Sequence, residues 1–227
     1  MKRTTAFNTT AAGWRRASGW LGLAGLAAFA CADLAVTRSD PGAELLRVGA
    51  GLLQPDFVAT DGLGRALANT LAFAFQGVAL GAAVGFLLAL VWHRRAVRAG
   101  AASVRAIHEL FWGLLLMQVT GLSTLTGVLA IALPYAGIFA KVFGEFLEEA
   151  DPAPAVALPD DRRRLGRFFY ARLPLIWASC KAYTGYRLEC ALRASAILGF
   201  IGLPTLGFHL ETAFREGHYG AGAALLY

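Results

Sequence analysis

The sequence predicts an all-α bundle of membrane-spanning helices, and three observations carry that prediction. Hydrophobic residues make up 57% of the 227 and charged residues only 16%, against about a quarter charged in an ordinary soluble domain. Several apolar blocks reach the roughly 20 residues that a helix needs to cross a bilayer. The arginines behind the net charge of +6 gather beside those blocks, as they do in loops kept on the inner side of a membrane. No aromatic-and-basic surface module is present, so a nucleic-acid partner is excluded.

Taken in order, residues 1–18 are a basic leader carrying Lys2, Arg3, Arg15 and Arg16, followed by a first span over 19–36. The leader is long for a signal peptide and no clear A-x-A site follows, so the span is expected to stay uncleaved. A mixed-charge loop, 37–65, leads to a second span over 66–92. The segment "HRRAVRAGAASVRAIHEL" then sets Arg94, Arg95, Arg98 and Arg105 against a single acid, Glu109, and reads as a return to the inner side.

The apolar run 110–140 is too long for one upright helix and is broken by "TGLSTLTG". Charge parity decides its path. If it crossed once, the next basic segment would lie outside; if it crosses twice, that segment is inside. Two short spans with a turn near Gly121–Gly127 are therefore expected, provided protein or water satisfies the turn's backbone. A fifth span begins near Leu175. "GAGAALLY", 220–227, reads as the first turns of a sixth, so the chain is expected to be cut short or completed by another chain.

Within the second span Gly77, Gly81 and Gly85 recur every fourth residue, on one helix face where a neighbour can approach closely. That face serves either a packed bundle lining a path or bundle packing alone. In the fifth span, "YRLECALRASAILGFIG" holds Arg187, Glu189 and Arg193 at bilayer depth. A charge there costs about 2.5–3.5 kcal/mol by insertion scales, so it faces protein or water and usually pairs. Glu189 and Arg193 are four apart with the acid first, the favourable order for a helical ion pair, while Arg187 lies on another side. Either the charges fix this span against its neighbours, or one arginine lines a path for an anion, which its planar fork can hold by paired hydrogen bonds. "GFIGLPTLGFHLE" is read as a gate or hinge, or as a plain helix end.

The remaining candidates are weak. His209, Glu211 and His218 match no standard metal spacing, so no metal and no cofactor is expected. Cys31, Cys180 and Cys190 show no CxxC spacing and read as small buried hydrophobes. No G-x-x-x-x-G-K-[ST] is present, so the chain is not expected to bind ATP through a P-loop or to be an enzyme, and any energy from ATP must come from a partner.

The segment 144–174 starts acidic at Glu145, Glu148 and Glu149, turns at Pro152 and Pro154, and becomes basic at Arg162, Arg163 and Arg164. Together with "LANTLAFAFQGVALGAAVGFLLAL", "RAIHELFWGLLLMQVTGLSTLTGVLAIALPYAGIFAKVFGE" and "YTGYRLECALRASAILGFIGLPTLGFHLE", it resembles the inner-membrane permease subunits of ABC importers, of the phosphonate-transport type. The resemblance implies a type I importer permease fold of about five spans plus an incomplete sixth over 19–227. It implies a multi-pass protein of the bacterial inner membrane with a cytosolic N-terminus, moving phosphonate or a related phosphorus oxyanion by alternating access. It further implies a cytosolic ABC ATPase dimer, a second permease subunit, identical or not, and a periplasmic substrate-binding protein as partners. Residues 144–174 become the coupling loop, with Glu148, Glu149, Ala157, Leu158, Arg162, Arg163, Arg164, Gly166, Leu173 and Pro174 facing the ATPase. The loop departs from the family at Val156, where an acid normally precedes Ala-Leu, and at Pro159, which interrupts a helix. A non-transporting scaffold or regulatory subunit is the alternative expectation that this departure leaves.

Overall fold

The computed structural model describes residues 10–32, 40–57, 62–151, 166 and 168–227, and every regular element among them is helical. The chain divides into two compact units, Met1–Leu46 and Arg47–Tyr227. The first holds α1 (Thr10–Cys31), whose described side chains are all exposed, and the start of α2 (Pro41–Leu53). The helix α1 begins at Thr10, ahead of the span predicted over 19–36, and runs through Arg16; residues 33–36 of that span lie outside the described residues. The helix α2 replaces part of the predicted loop. Its start is fixed by Asp40, whose Oδ1 accepts from the Ala43 amide at 3.1 Å, with Pro41 in the first turn, where its missing N–H costs nothing.

The second unit is built on α3 (Leu63–Ala89) and α6 (Thr124–Glu149). At 27 residues, α3 is about 40 Å long at 1.5 Å per residue, and these two are long and apolar enough to cross a membrane. They lie in close contact through the predicted glycine face. An added Cβ on Gly77, Gly81 or Gly85 would stand 2.7, 2.9 and 2.5 Å from the Cβ of Ile131, Tyr135 and Phe139 respectively. Because both series rise together, the helices run in the same direction, and the chain between them must return along their length.

Two short helices make that return, α4 (Arg95–Ala106) and α5 (Glu109–Thr120). The Trp92 ring lies against Gly144, the Ala101 carbonyl against Gly137, and Gly113 near Ala130, so the chain descends α6 step by step. The basic segment, read from its charge only as a return to the inner side, is thus a helix laid on α6, because Val97, Ala101 and Val104 share its apolar face. The break between α4 and α5 is held by His108, whose Nδ1 accepts from the Leu110 amide at 3.2 Å, and by Trp112, whose Nε1 donates to the Val104 carbonyl at 3.1 Å.

The predicted turn in 121–127 is present, and its polar groups are satisfied by protein. Gly121 adopts φ 67°, a left-handed conformation that favours glycine. Ser123 caps α6 by accepting from the Thr126 amide at 3.3 Å, and the fully buried Thr126 hydroxyl donates to the Gly121 carbonyl at 2.6 Å. Two antiparallel helices therefore replace one long apolar run.

A π-helical turn, Phe168–Arg172, opens α7 (Leu173–Ile197), which continues as a 3-10 turn to Ile201. Beyond Gly202, at φ 95°, α8 (Leu206–Glu216) leaves at 49° to this helix; counted as one span, the bent pair brings the membrane-length segments to three. The bend is tightly tied. The Ser195 hydroxyl donates to the Thr70 carbonyl at 2.7 Å, the Thr70 hydroxyl accepts from the Leu206 amide at 3.0 Å, and Asn69 Nδ2 donates to the Pro204 carbonyl at 2.9 Å. The segment 220–227 holds most of a short helix, α9 (Tyr219–Ala224), which packs beside α8; the Gly220 carbonyl accepts from the Asp56 amide at 3.0 Å.

Candidate functional site

Two places collect the residues that the sequence singles out. The first is the end of the bundle where the 144–174 loop leaves and returns. Glu148 and Glu149 close α6, and Leu173 and Pro174 open α7. Leu173 packs on the core while Pro174 is exposed. Gly166 is helical and half-buried. Ala157, Leu158, Arg162, Arg163 and Arg164, with Val156 and Pro159, lie outside the described residues.

Both ends of the loop meet one side chain that the sequence reading missed. Phe86 of α3 lies with its ring centroid 6.3 Å from Phe143, near the end of α6, and 6.3 Å from Phe168, at the entry to α7. Nothing local distinguishes Phe86 from the other apolar residues of its span; only the convergence of three elements does. Next to it, Arg98 of α4 is ion-paired with Glu148, its Nε donates to the Trp92 carbonyl at 2.9 Å, and its guanidinium lies over the Trp92 ring. A cleft of about 340 Å³ opens here, lined by Trp92, His93, Glu148, Phe168 and Arg172 among others.

The second place is the middle of α7. Arg187 faces α6, with its guanidinium 4.5 Å from the centre of the buried Tyr135 ring. Its Nε is buried and has no hydrogen-bond partner among the described residues. Tyr135 stands opposite Gly81, and Ser195 bonds to Thr70, so residues 187–195 lie level with the central part of α3. The pattern placed Arg187 on another side from Glu189 and Arg193, and so it is.

The pairing that the spacing favours is not made. Glu189 and Arg193 are both exposed, and neither forms an ion pair with any described residue, although Lys141–Glu145 and Arg215–Glu211 make the equivalent contact elsewhere. Their face of α7 carries Ala178, Ala182 and Gly185, all exposed and small. Among the described residues no group of three metal-ligating side chains converges; Glu211 is held by Arg215, and His218 lies 3.4 Å from Glu216.

No protein-family model matches the chain. It is 33% identical over 167 residues to the phosphate-import permease protein PhnE of Mycolicibacterium smegmatis, an alignment covering 67% of this chain and 31% of that protein. It is 29% identical over 184 residues to the phosphite transport system permease protein PtxC of Stutzerimonas stutzeri, covering 77% of this chain and 67% of that one. The chain thus spans about a third of the first relative's length and two thirds of the second's. In fold it matches a solved amino acid ABC transporter with histidines at a TM-score of 0.59, with 15% identity, covering 81% of this chain and 87% of that one. In sequence the chain is thus similar to permease proteins of phosphate and phosphite transport systems, and over 81% of its length it shares the fold of an ABC transporter chain.

Proposed function

We propose that the chain is the membrane-spanning permease subunit of a bacterial ABC importer for a phosphorus oxyanion, of the phosphonate, phosphite or phosphate class. The observation that carries this reading is the similarity to two permeases whose names specify phosphate import and phosphite transport. The bundle end at which Arg94, Arg95, Arg98 and Arg172 gather faces the cytosol of the inner membrane, as basic residues prefer, and the N-terminus lies on the same side. A separate ATPase dimer grips the loop 144–174. Its motion enters the bundle at Phe86, where rings from both loop ends converge, and drives alternating access between two permease subunits. An external binding protein delivers the anion.

Arg193 is the cation that best suits the path. It is exposed and forms no ion pair with any described residue in the middle of α7, and a guanidinium matches phosphorus oxyanions by paired hydrogen bonds. Arg187 is turned into the bundle and braces α7 on Tyr135 instead.

The test is uptake of radiolabelled phosphite, phosphonate and phosphate by cells that lack their own carriers, with the partner ATPase and binding protein supplied. Uptake of one of these anions, lost when residues 148–165 are deleted, is the expected result. Uptake that survives this deletion, or labelling of Arg162–Arg164 from outside intact cells, overturns the reading.

A further inference from the structure

The entry to α7 is wound more loosely than an α-helix. Residues Phe168–Arg172 are π-helical, and Arg172 keeps a right-handed helical backbone into Leu173. A π turn bonds residue i to i+5 where an α turn bonds i to i+4, so it holds one residue more. Pro174 supplies the reason. Proline has no N–H to give the carbonyl four residues back, and in an unbroken α-helix its ring strikes that carbonyl. The residue four back is Tyr170, at the centre of the π turn. Such turns are rare and recur at functional sites. The sequence here also fits two windings. Leu173 packs on the core, and the side chain one turn before it on the same face is Phe168, five back, in a π turn and Phe169, four back, in an α turn. In the structure Phe168 takes that place, with its ring 6.3 Å from Phe86 and 5.5 Å from Phe169. Because both residues are phenylalanine, a slip of one residue exchanges one phenyl ring for another against Phe86.

We propose that Phe168–Arg172 is a switch with two registers: a π register with Phe168 on Phe86, and an α register with Phe169 in its place. Pro174 sets the resting state, because its ring obstructs the α register and leaves the π register free. The slip turns the chain ahead of the turn by about 100° and displaces it by about 1.5 Å along the axis, while α7 beyond Leu173 keeps its seat on the core. Two arrangements of similar packing, separated by one discrete step, are what a bistable element requires. Phe169 and Pro174 are thereby positioning residues, one for each register. The proposal deepens the permease reading, which supplies the partner that pulls on the loop; the two registers are a property of this chain by itself.

The test is photo-cross-linking in the full-length chain, purified in detergent, with benzoylphenylalanine in place of Phe168 or of Phe169 and the products mapped by mass spectrometry. In the otherwise native chain the probe at 168 should label α3 around Phe86 and the probe at 169 should not; Pro174→Ala should move the labelling to 169. Deletion of Phe169 removes the surplus residue outright and sets Phe168 four before Leu173, so labelling from 168 and the melting temperature should both be kept. Labelling from 168 alone in the native chain and in Pro174→Ala alike, or from both positions equally in the native chain, overturns the proposal. So does loss of labelling from 168 on the deletion in a chain that still melts cooperatively. Where Pro174→Ala does not fold, the deletion decides. Transport is read separately. Phe169→Ala keeps the resting register and withdraws the ring from the other; burial of a phenyl ring is worth about tenfold or more in a two-state population. Uptake should therefore fall by about that factor at unchanged melting, and Phe169→Leu should restore most of it. Native-like uptake by Phe169→Ala overturns the switch's part in transport. If the native chain takes up no phosphite, phosphonate or phosphate, the permease reading fails, and the labelling still decides the two registers.

Discussion

Replacing Gly85 by alanine should separate the two long helices of the bundle. The new Cβ would lie 2.5 Å from Phe139 Cβ, 2.9 Å from the Ala136 carbonyl oxygen and 3.0 Å from the Ala140 amide nitrogen. Comfortable carbon contacts begin near 3.5 Å, so α3 and α6 must part by about 1 Å. Two of the three atoms met are backbone, and no rotamer change relieves them. Overpacking of this kind costs about 1–3 kcal/mol. The upper part of that range applies, because Gly77 and Gly81 lose their contacts as the helices part. At roughly 2–4 °C per kcal/mol for a chain of this size, the melting temperature in detergent should fall by about 5–10 °C. Gly100 of α4 is the control, since an added Cβ there meets nothing within 4 Å. Gly100→Ala should stabilise slightly, by about 0.5–1 kcal/mol, through helix propensity. If both variants shift melting alike, close helix contact is not what the glycine face provides.

Thr126→Val removes a donor to the Gly121 carbonyl and a hydroxyl contact to Thr120 at 2.7 Å; a destabilisation of about 1 kcal/mol is expected from the lost hydrogen bonds, read by thermal melting. Tyr135→Phe should keep the ring beneath Arg187 and behave nearly as the native chain, whereas Tyr135→Leu should lose about 1–2 kcal/mol of cation–π attraction; equal melting of the two would remove that role. Phe86→Ala should leave the chain inserted and folded but reduce uptake more than it reduces stability, because it deletes the ring between the two loop ends; an uptake loss no greater than that of a similarly destabilised Gly85→Ala would contradict it. Glu148→Gln should cost under about 1 kcal/mol, since the pair with Arg98 is about half exposed, with melting under low and high salt as the check.

Much of this architecture is legible in the residues, and the reasons are local. Apolar blocks of membrane length, glycines every fourth residue and a Gly/Ser/Thr break in an overlong run each follow from the helix period and from backbone rules that hold wherever the segment lies. The predicted turn at Gly121 also carried its own condition, that protein satisfy its backbone, and Ser123 and Thr126 meet it. The helical form of the basic segment after α3 is legible as well. The spacing of Val97, Ala101 and Val104 was there to be read as a helical face.

The fate of the three charges on α7 could not be read in the same way. The sequence by itself determined that Arg187 lies apart from Glu189 and Arg193, because a helix turns 100° per residue. Only the tertiary structure decided that Arg187 is covered by Tyr135, some fifty residues away, while Glu189 and Arg193 are exposed and pair with no described residue. Periodicity says which residues share a face. Which neighbour fills that face, and whether a charge finds cover there, depends on contacts between helices that are distant along the chain, and no local pattern encodes those.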